Sequence, residues 1–82
     1  MAQGVTIALI AEAVADVWEV SVANLRGPRR FPIFVDPRHV AFALAREHTA
    51  HSLPTIGQWF GDRDHTTVLN GIRRFDLSLI HI

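Results

Sequence analysis

At 82 residues, 49% of them hydrophobic, the chain has material for one small domain with a modest core, and the absence of cysteine excludes disulfides, a thiolate nucleophile and cysteine-held zinc or iron-sulfur sites. All eight basic residues are arginines, so the lysine that grips phosphate in a P-loop is missing and a self-contained nucleotide-hydrolysing motor is ruled out. The formal charge of zero hides an uneven distribution: residues 1–25 carry −3, residues 26–75 carry +4, and Asp76 supplies the last −1.

The first predicted element covers about residues 6–19. Ile7, Ile10, Ala11, Val14 and Trp18 recur at helical spacing, with Glu12, Asp16 and Glu19 elsewhere on the wheel. Ser21 then caps a short helical turn in "SVANL". The next stretch, "RGPRRFPIFVDP", holds a glycine, three prolines and three arginines and cannot continue a helix, so it reads as a basic loop. Asp36 followed by Pro37 is a helix start, because aspartate caps free amides while proline sits in the first turn without losing a hydrogen bond. Ala41, Leu44, Ala45 and His48 make the expected inner face of that helix, which runs to about residue 50. "SLPTIGQWFG" predicts a very short helix with Ser52 as cap, Ile56, Trp59 and Phe60 as packing residues and Gly61 as stop. The last helix begins at Asp64 and packs through Val68, Leu69, Ile72 and Phe75.

Two helices, the second short, feed a third through a tight glycine turn. That is the layout of a helix-turn-helix, and an all-α domain over residues 5–75 is expected. The final residues "DLSLIHI" abandon the polar face and carry strand-like residues, so 76–82 read as a tail outside the domain, non-native or disordered. No apolar run approaches the roughly 20 residues of a membrane span, and the start of the chain lacks the basic residues of a secretory signal. No membrane contact is expected, and a soluble cytoplasmic protein is.

The chemistry gathers at "GDRDHTTV". In a helix-turn-helix the first turn of the last helix faces base edges in the major groove. Asp64 can accept from cytosine's amino group, His65 can donate or accept at a purine edge, and Thr66 and Thr67 offer a hydroxyl and a methyl. An ordinary cap, with Asp62 or Asp64 bonding free amides, explains the same residues and excludes nothing, since one side chain can do both. Metal binding by His48 and His51, joined by His39 and His65, lacks a carboxylate at a suitable offset, so no metal is expected. A relay of Thr66, His65 and Asp64 fails because neighbouring helix residues point in different directions, and no enzyme is expected. Trp18, Trp59 and Phe60 lie in apolar stripes and belong to the core, whereas Phe31 and Phe34 sit in the loop.

The run "HSLPTIGQWFGDRDHTTVLNGIRRF", preceded by "DPRHVAFALAREHTA", resembles the C-terminal DNA-binding domain of the bacterial chromosomal replication initiator DnaA. The resemblance continues upstream through "VTIALIAEAVADVWEVSVANLRG" and so spans about residues 5–75. It implies a nucleoid-associated domain that binds an origin repeat from two sides. Asp64, His65 and Thr66 would read bases, with Thr67 beside them, and Arg30 would enter the adjacent minor groove. Arg29, Arg38, Arg46, Thr49, Ser52, Leu53, Pro54 and Arg63 fall where the family touches the DNA backbone or supports the turn, Pro54 against a base methyl. The loop departs from the family pattern, since "RRFPIFVDP" brings Phe31, Pro32, Ile33, Phe34 and Asp36 where basic residues are usual. The resemblance does not take in the initiator's nucleotide-binding motor, so no nucleotide or other cofactor is expected. The partner it implies is double-stranded DNA. The alternative is a protein-interaction module of the same fold, binding a replication or regulatory protein through the acidic first helix and the apolar loop.

Overall fold

The computed structural model describes residues 4–28 and 36–80, with side chains as far as Phe75. Its elements are α1 (Ile7–Trp18), α2 (Val22–Arg26), α3 (Pro37–His48), α4 (Leu53–Trp59) and α5 (His65–Ile80), and among the described residues there is no strand. The fold is all-α, as the periodicity predicts.

Each helix starts where a short polar side chain meets an apolar stripe. The Thr6 hydroxyl accepts from the Leu9 amide at 3.1 Å, and Ser21 accepts from Asn24 at 3.0 Å. Asp36 accepts from Arg38 at 2.9 Å with Pro37 in the first turn of α3. α1 ends in a Schellman-type turn: Glu19 takes the left-handed conformation at φ 57°, Val20 donates to the Ala15 carbonyl and Glu19 to that of Asp16.

α3 is the central helix and packs against α1, α4 and α5. The core gathers Ile7, Ile10, Ala11 and Val14 from α1, Leu25 from α2, Val40, Ala41, Phe42 and Ala45 from α3, then Ile56, Phe60 and Val68. Phe42 and Phe60 meet edge to face with ring centroids 5.2 Å apart, and Trp59 meets Phe60 in the same manner at 5.0 Å. Trp18 and Trp59 are half-buried at the margin of this cluster.

The inner face of α3 differs from the expected one. Ala41 and Ala45 are buried, but His48 is exposed and the deep positions are taken by Arg38 and Phe42. The first turn of α3 is tied to α2 by the Arg38 bonds to the Asn24 and Leu25 carbonyls, whereas Arg46, Glu47 and His48 at its end are exposed, so the buried stripe is displaced toward the N-terminus. At the other end of the chain, α5 continues to Ile80, beyond the expected stop near Phe75. The sequence after Phe75 contains neither glycine nor proline, and the backbone of residues 76–80 extends the helix.

His39 sits between α3 and α5 and is half-buried, with its imidazole 3.8 Å from the Asp36 carboxylate. Burial lowers its pKa from 6.5, Asp36 opposes that, and Arg74 and Arg38 add to it. The folded protein therefore favours the neutral ring. The stability this contributes is complete well above pH 6.5, where both states are neutral, and declines as pH falls through that value, because the unfolded chain takes up the proton first. The urea midpoint is expected to fall between pH 7.5 and 5.5, and His39→Gln should flatten that slope; an equal slope in the variant would show that another group is responsible.

Candidate nucleic-acid interface

The turn between α4 and α5 is built by glycines and by one backbone bond. Gly61 has φ 91° and Asp62 φ 57°, which reverses the chain in the left-handed region. The Arg63 amide then donates to the Gly57 carbonyl at 2.8 Å. Gly57 is buried inside α4, and a Cβ there would run into the Arg63 carbonyl and Val68. This close approach, with fully buried Val68, fixes where α5 begins.

Asp64 is the cap. Its Oδ2 accepts from the Thr66 amide at 3.1 Å, while its carbonyl accepts from Thr67 and Val68. Bonds from the Thr66 hydroxyl and amide hold its carboxyl below the usual range, with smaller help from His65. Capping leaves the side chain accessible: Asp64 is 67% exposed and His65 58%, with His65 Nδ1 3.5 Å from Asp64 Oδ1. Thr66 and Thr67 are exposed as well. The structure thus brings Asp64, His65, Thr66 and Thr67 together as one outward turn, in which Asp64 also orders the backbone.

The α3–α4 corner lies beside it. The Thr49 hydroxyl donates to the Ala45 carbonyl at 2.5 Å, and the Ser52 hydroxyl accepts from the Thr55 amide at 3.4 Å. Arg46 and Pro54 are exposed, and Leu53 is half-buried against the core. Two open clefts mark this side of the molecule. One, of about 350 Å³, runs from Arg46 and Thr49 to Ser52 and Leu53. The other, of about 340 Å³, is bounded by Pro54, Gln58, Asp62, Arg63, Asp64 and His65. The second cleft joins the start of α4 to the Asp64–Thr67 turn and adds Gln58, which helical periodicity marks only as a polar position.

The arginines divide into two groups. Arg38 is 8% exposed, and its guanidinium donates to the carbonyls of Leu25 at 2.9 Å, Gly27 at 3.2 Å and Asn24 at 3.3 Å. Half-buried Arg63 donates to the carbonyls of Gly27 at 2.5 Å, Arg26 at 3.3 Å and Phe60. The Asn24, Leu25, Arg26 and Gly27 carbonyls stand at the end of α2, where a helix leaves them without partners, so both side chains act as C-caps of α2 from a distance, and Arg63 also holds the Phe60 carbonyl at the end of α4. Burial lowers the pKa of each guanidinium without threatening its charge. Arg26 completes the knot: Nε donates to the Trp59 carbonyl at 2.7 Å and the guanidinium lies 4.5 Å above the Trp59 ring. Of the positions matched to backbone contact or turn support, Arg38 and Arg63 therefore support the fold, while Arg46 faces outward. Arg29 and Arg30 lie outside the described residues.

Sequence reasoning missed Gly57, Gly71, Phe42 and the α2-capping role of Arg38. A lone glycine within a helical pattern is the only signal for the first two; nothing local marks the arginine. The family model described as bacterial dnaA protein helix-turn-helix matches residues 7–75.

Proposed function

Because the chain belongs to the bacterial DnaA helix-turn-helix family, whose members bind DNA, we propose that it recognises duplex DNA by sequence, as the initiator recognises origin repeats, without a catalytic step. The observation that carries this reading is the exposed turn Asp64–Thr67, held on a rigid turn by buried Gly57 and Val68. His65 and Thr66 supply base discrimination from the major groove, and Asp64 orders the turn while keeping its outer oxygen available. Arg46 addresses phosphate beside the α3–α4 corner, and Arg30 is assigned to the minor groove by the family pattern. Arginine charge contributes affinity, base edges contribute discrimination, and the two respond differently to salt. No helix among the described residues is long and apolar enough to cross a membrane, and action on the nucleoid in the cytoplasm completes this reading.

Fluorescence anisotropy of the chain with a duplex carrying the initiator-family repeat, against a scrambled duplex over a salt series, tests it. Tighter binding to the repeat that persists at higher salt is expected. His65→Ala should remove roughly 1–3 kcal/mol of that discrimination and Arg46→Ala should weaken both duplexes alike. Equal, steeply salt-dependent binding to both duplexes would leave phosphate contact alone.

A second reading, a protein-interaction module of the same fold, is favoured by one observation. Val5, Leu9 and Val17 are 47%, 54% and 72% exposed and follow one another four or eight residues apart along α1 and its entry, with Glu12 and Asp16 alongside. Under that reading neither His65→Ala nor Arg46→Ala changes partner binding.

A further inference from the structure

Beyond its first turn, α5 keeps a polar outer face that the reading above leaves unused. Val68 and Gly71 are buried and Phe75 is half-buried, which fixes the inner side of the helix. At 3.6 residues per turn, the line opposite them runs through Thr66, Asn70 and Arg73, and all three are exposed. Asn70 stands one turn beyond Thr66 on that line, and Arg73 nearly one turn further.

We propose that Asn70 is an additional base-reading residue that addresses an adenine edge in the major groove, and that Arg73 grips phosphate at the far margin of the same groove. This rests on the assignment of α5 as the groove helix. A carboxamide carries an acceptor and two donors in one plane, the complement of adenine's amino group and ring nitrogen. With a rise of about 1.5 Å per residue, Asn70 lies about 6 Å along the axis from Thr66, on the order of two base-pair steps. Arg73 lies about 10 Å from Thr66, close to the groove width of about 12 Å, where a long cation meets the sugar-phosphate wall.

The stiffness of this part of α5 supports the assignment. A Cβ at Gly71 would meet the rings of His39 and Phe42, at 2.7 and 2.8 Å. The helix is therefore pressed onto α3 beside Asn70, so the amide projects from a fixed backbone and pays little ordering entropy on binding.

Selection of binding sites from a randomised duplex pool by the chain and by Asn70→Ala tests the idea, followed by salt titrations of Arg73→Ala on the selected duplex. The Asn70→Ala variant should keep the wild-type consensus except at one A·T pair, where a preference of roughly 5- to 100-fold falls to near unity. Arg73→Ala should bind every duplex more weakly and reduce the slope of log K against log salt by about 0.9. Both side chains are exposed, so unchanged melting temperatures are expected. If Asn70→Ala retains the complete wild-type preference while His65→Ala loses it elsewhere in the site, Asn70 is a solvated residue and this inference fails with the groove assignment intact. A wild-type chain that enriches no sequence overturns both. An unchanged salt slope in Arg73→Ala removes the phosphate contact.

Discussion

Replacing Arg38 with leucine is expected to destabilise the domain by about 3 kcal/mol, although the change removes a charge from a buried position. Two effects oppose each other. Burying a guanidinium is unfavourable, and an apolar side chain in its place relieves that cost. Against this, the Asn24 and Leu25 carbonyls lose the Arg38 guanidinium as donor, and Gly27 loses it while keeping its bond from Arg63. Hydrogen bonds from a charged donor contribute about 1.5–3 kcal/mol each, and orphaned acceptors carry a desolvation penalty of similar size. With two or three carbonyls affected, the loss outweighs the relief. For a domain of this size the melting temperature should fall by roughly 15 °C, as followed by circular dichroism. Arg38→Lys is expected to recover only part of it, because one ammonium cannot reproduce a planar fork reaching three separate oxygens. A fall under about 1 kcal/mol would mean that water satisfies the α2 end without help and that Arg38 is not its cap.

That knot shows how far the sequence could be read. Caps and periodic stripes are local, so Ser21, Asp36-Pro37, Ser52 and Asp64 announce their helices, and the helix order leads to the helix-turn-helix. The exposed turn at Asp64–Thr67 was legible as a helix start for the same reason: its residues are contiguous and follow a glycine turn. Arg38 was not legible as a cap, because its acceptors lie 11 to 14 residues away and nothing in its own helix distinguishes it from a surface cation. His48 misled for the converse reason: helical spacing puts it in line with Ala41 and Ala45, but in the folded chain those two are buried while His48 is exposed. Gly57 and Gly71 record the absence of side chains where another helix or turn passes, which only the packed structure shows.

Gly57 carries the second large effect, and there two rules predict opposite signs. Within an exposed helix, glycine to alanine stabilises by about 1 kcal/mol, since alanine has the higher helix propensity. In this helix a Cβ would occupy the space of the Arg63 carbonyl, which is backbone and cannot rotate aside, and would also press on Val68 at 3.3 Å. Relief requires α5 to move away from α4, which stretches the 2.8 Å bond from the Arg63 amide to the Gly57 carbonyl. Overpacking of this kind costs about 1–3 kcal/mol and occasionally more. Gly57→Ala is therefore expected to destabilise by about 2 kcal/mol, and Gly57→Val by roughly 3 kcal/mol or more. Gly4→Ala is the control, because a Cβ at that position meets nothing within 4 Å. The loss should extend to function: a shift of the α4–α5 turn moves Asp64–Thr67 relative to the α3–α4 corner, so discrimination between the repeat and a scrambled duplex should shrink even at temperatures where Gly57→Ala remains folded. A stabilised Gly57→Ala with wild-type discrimination would show that the turn yields at no cost, and that something other than this close approach sets the position of Asp64–Thr67.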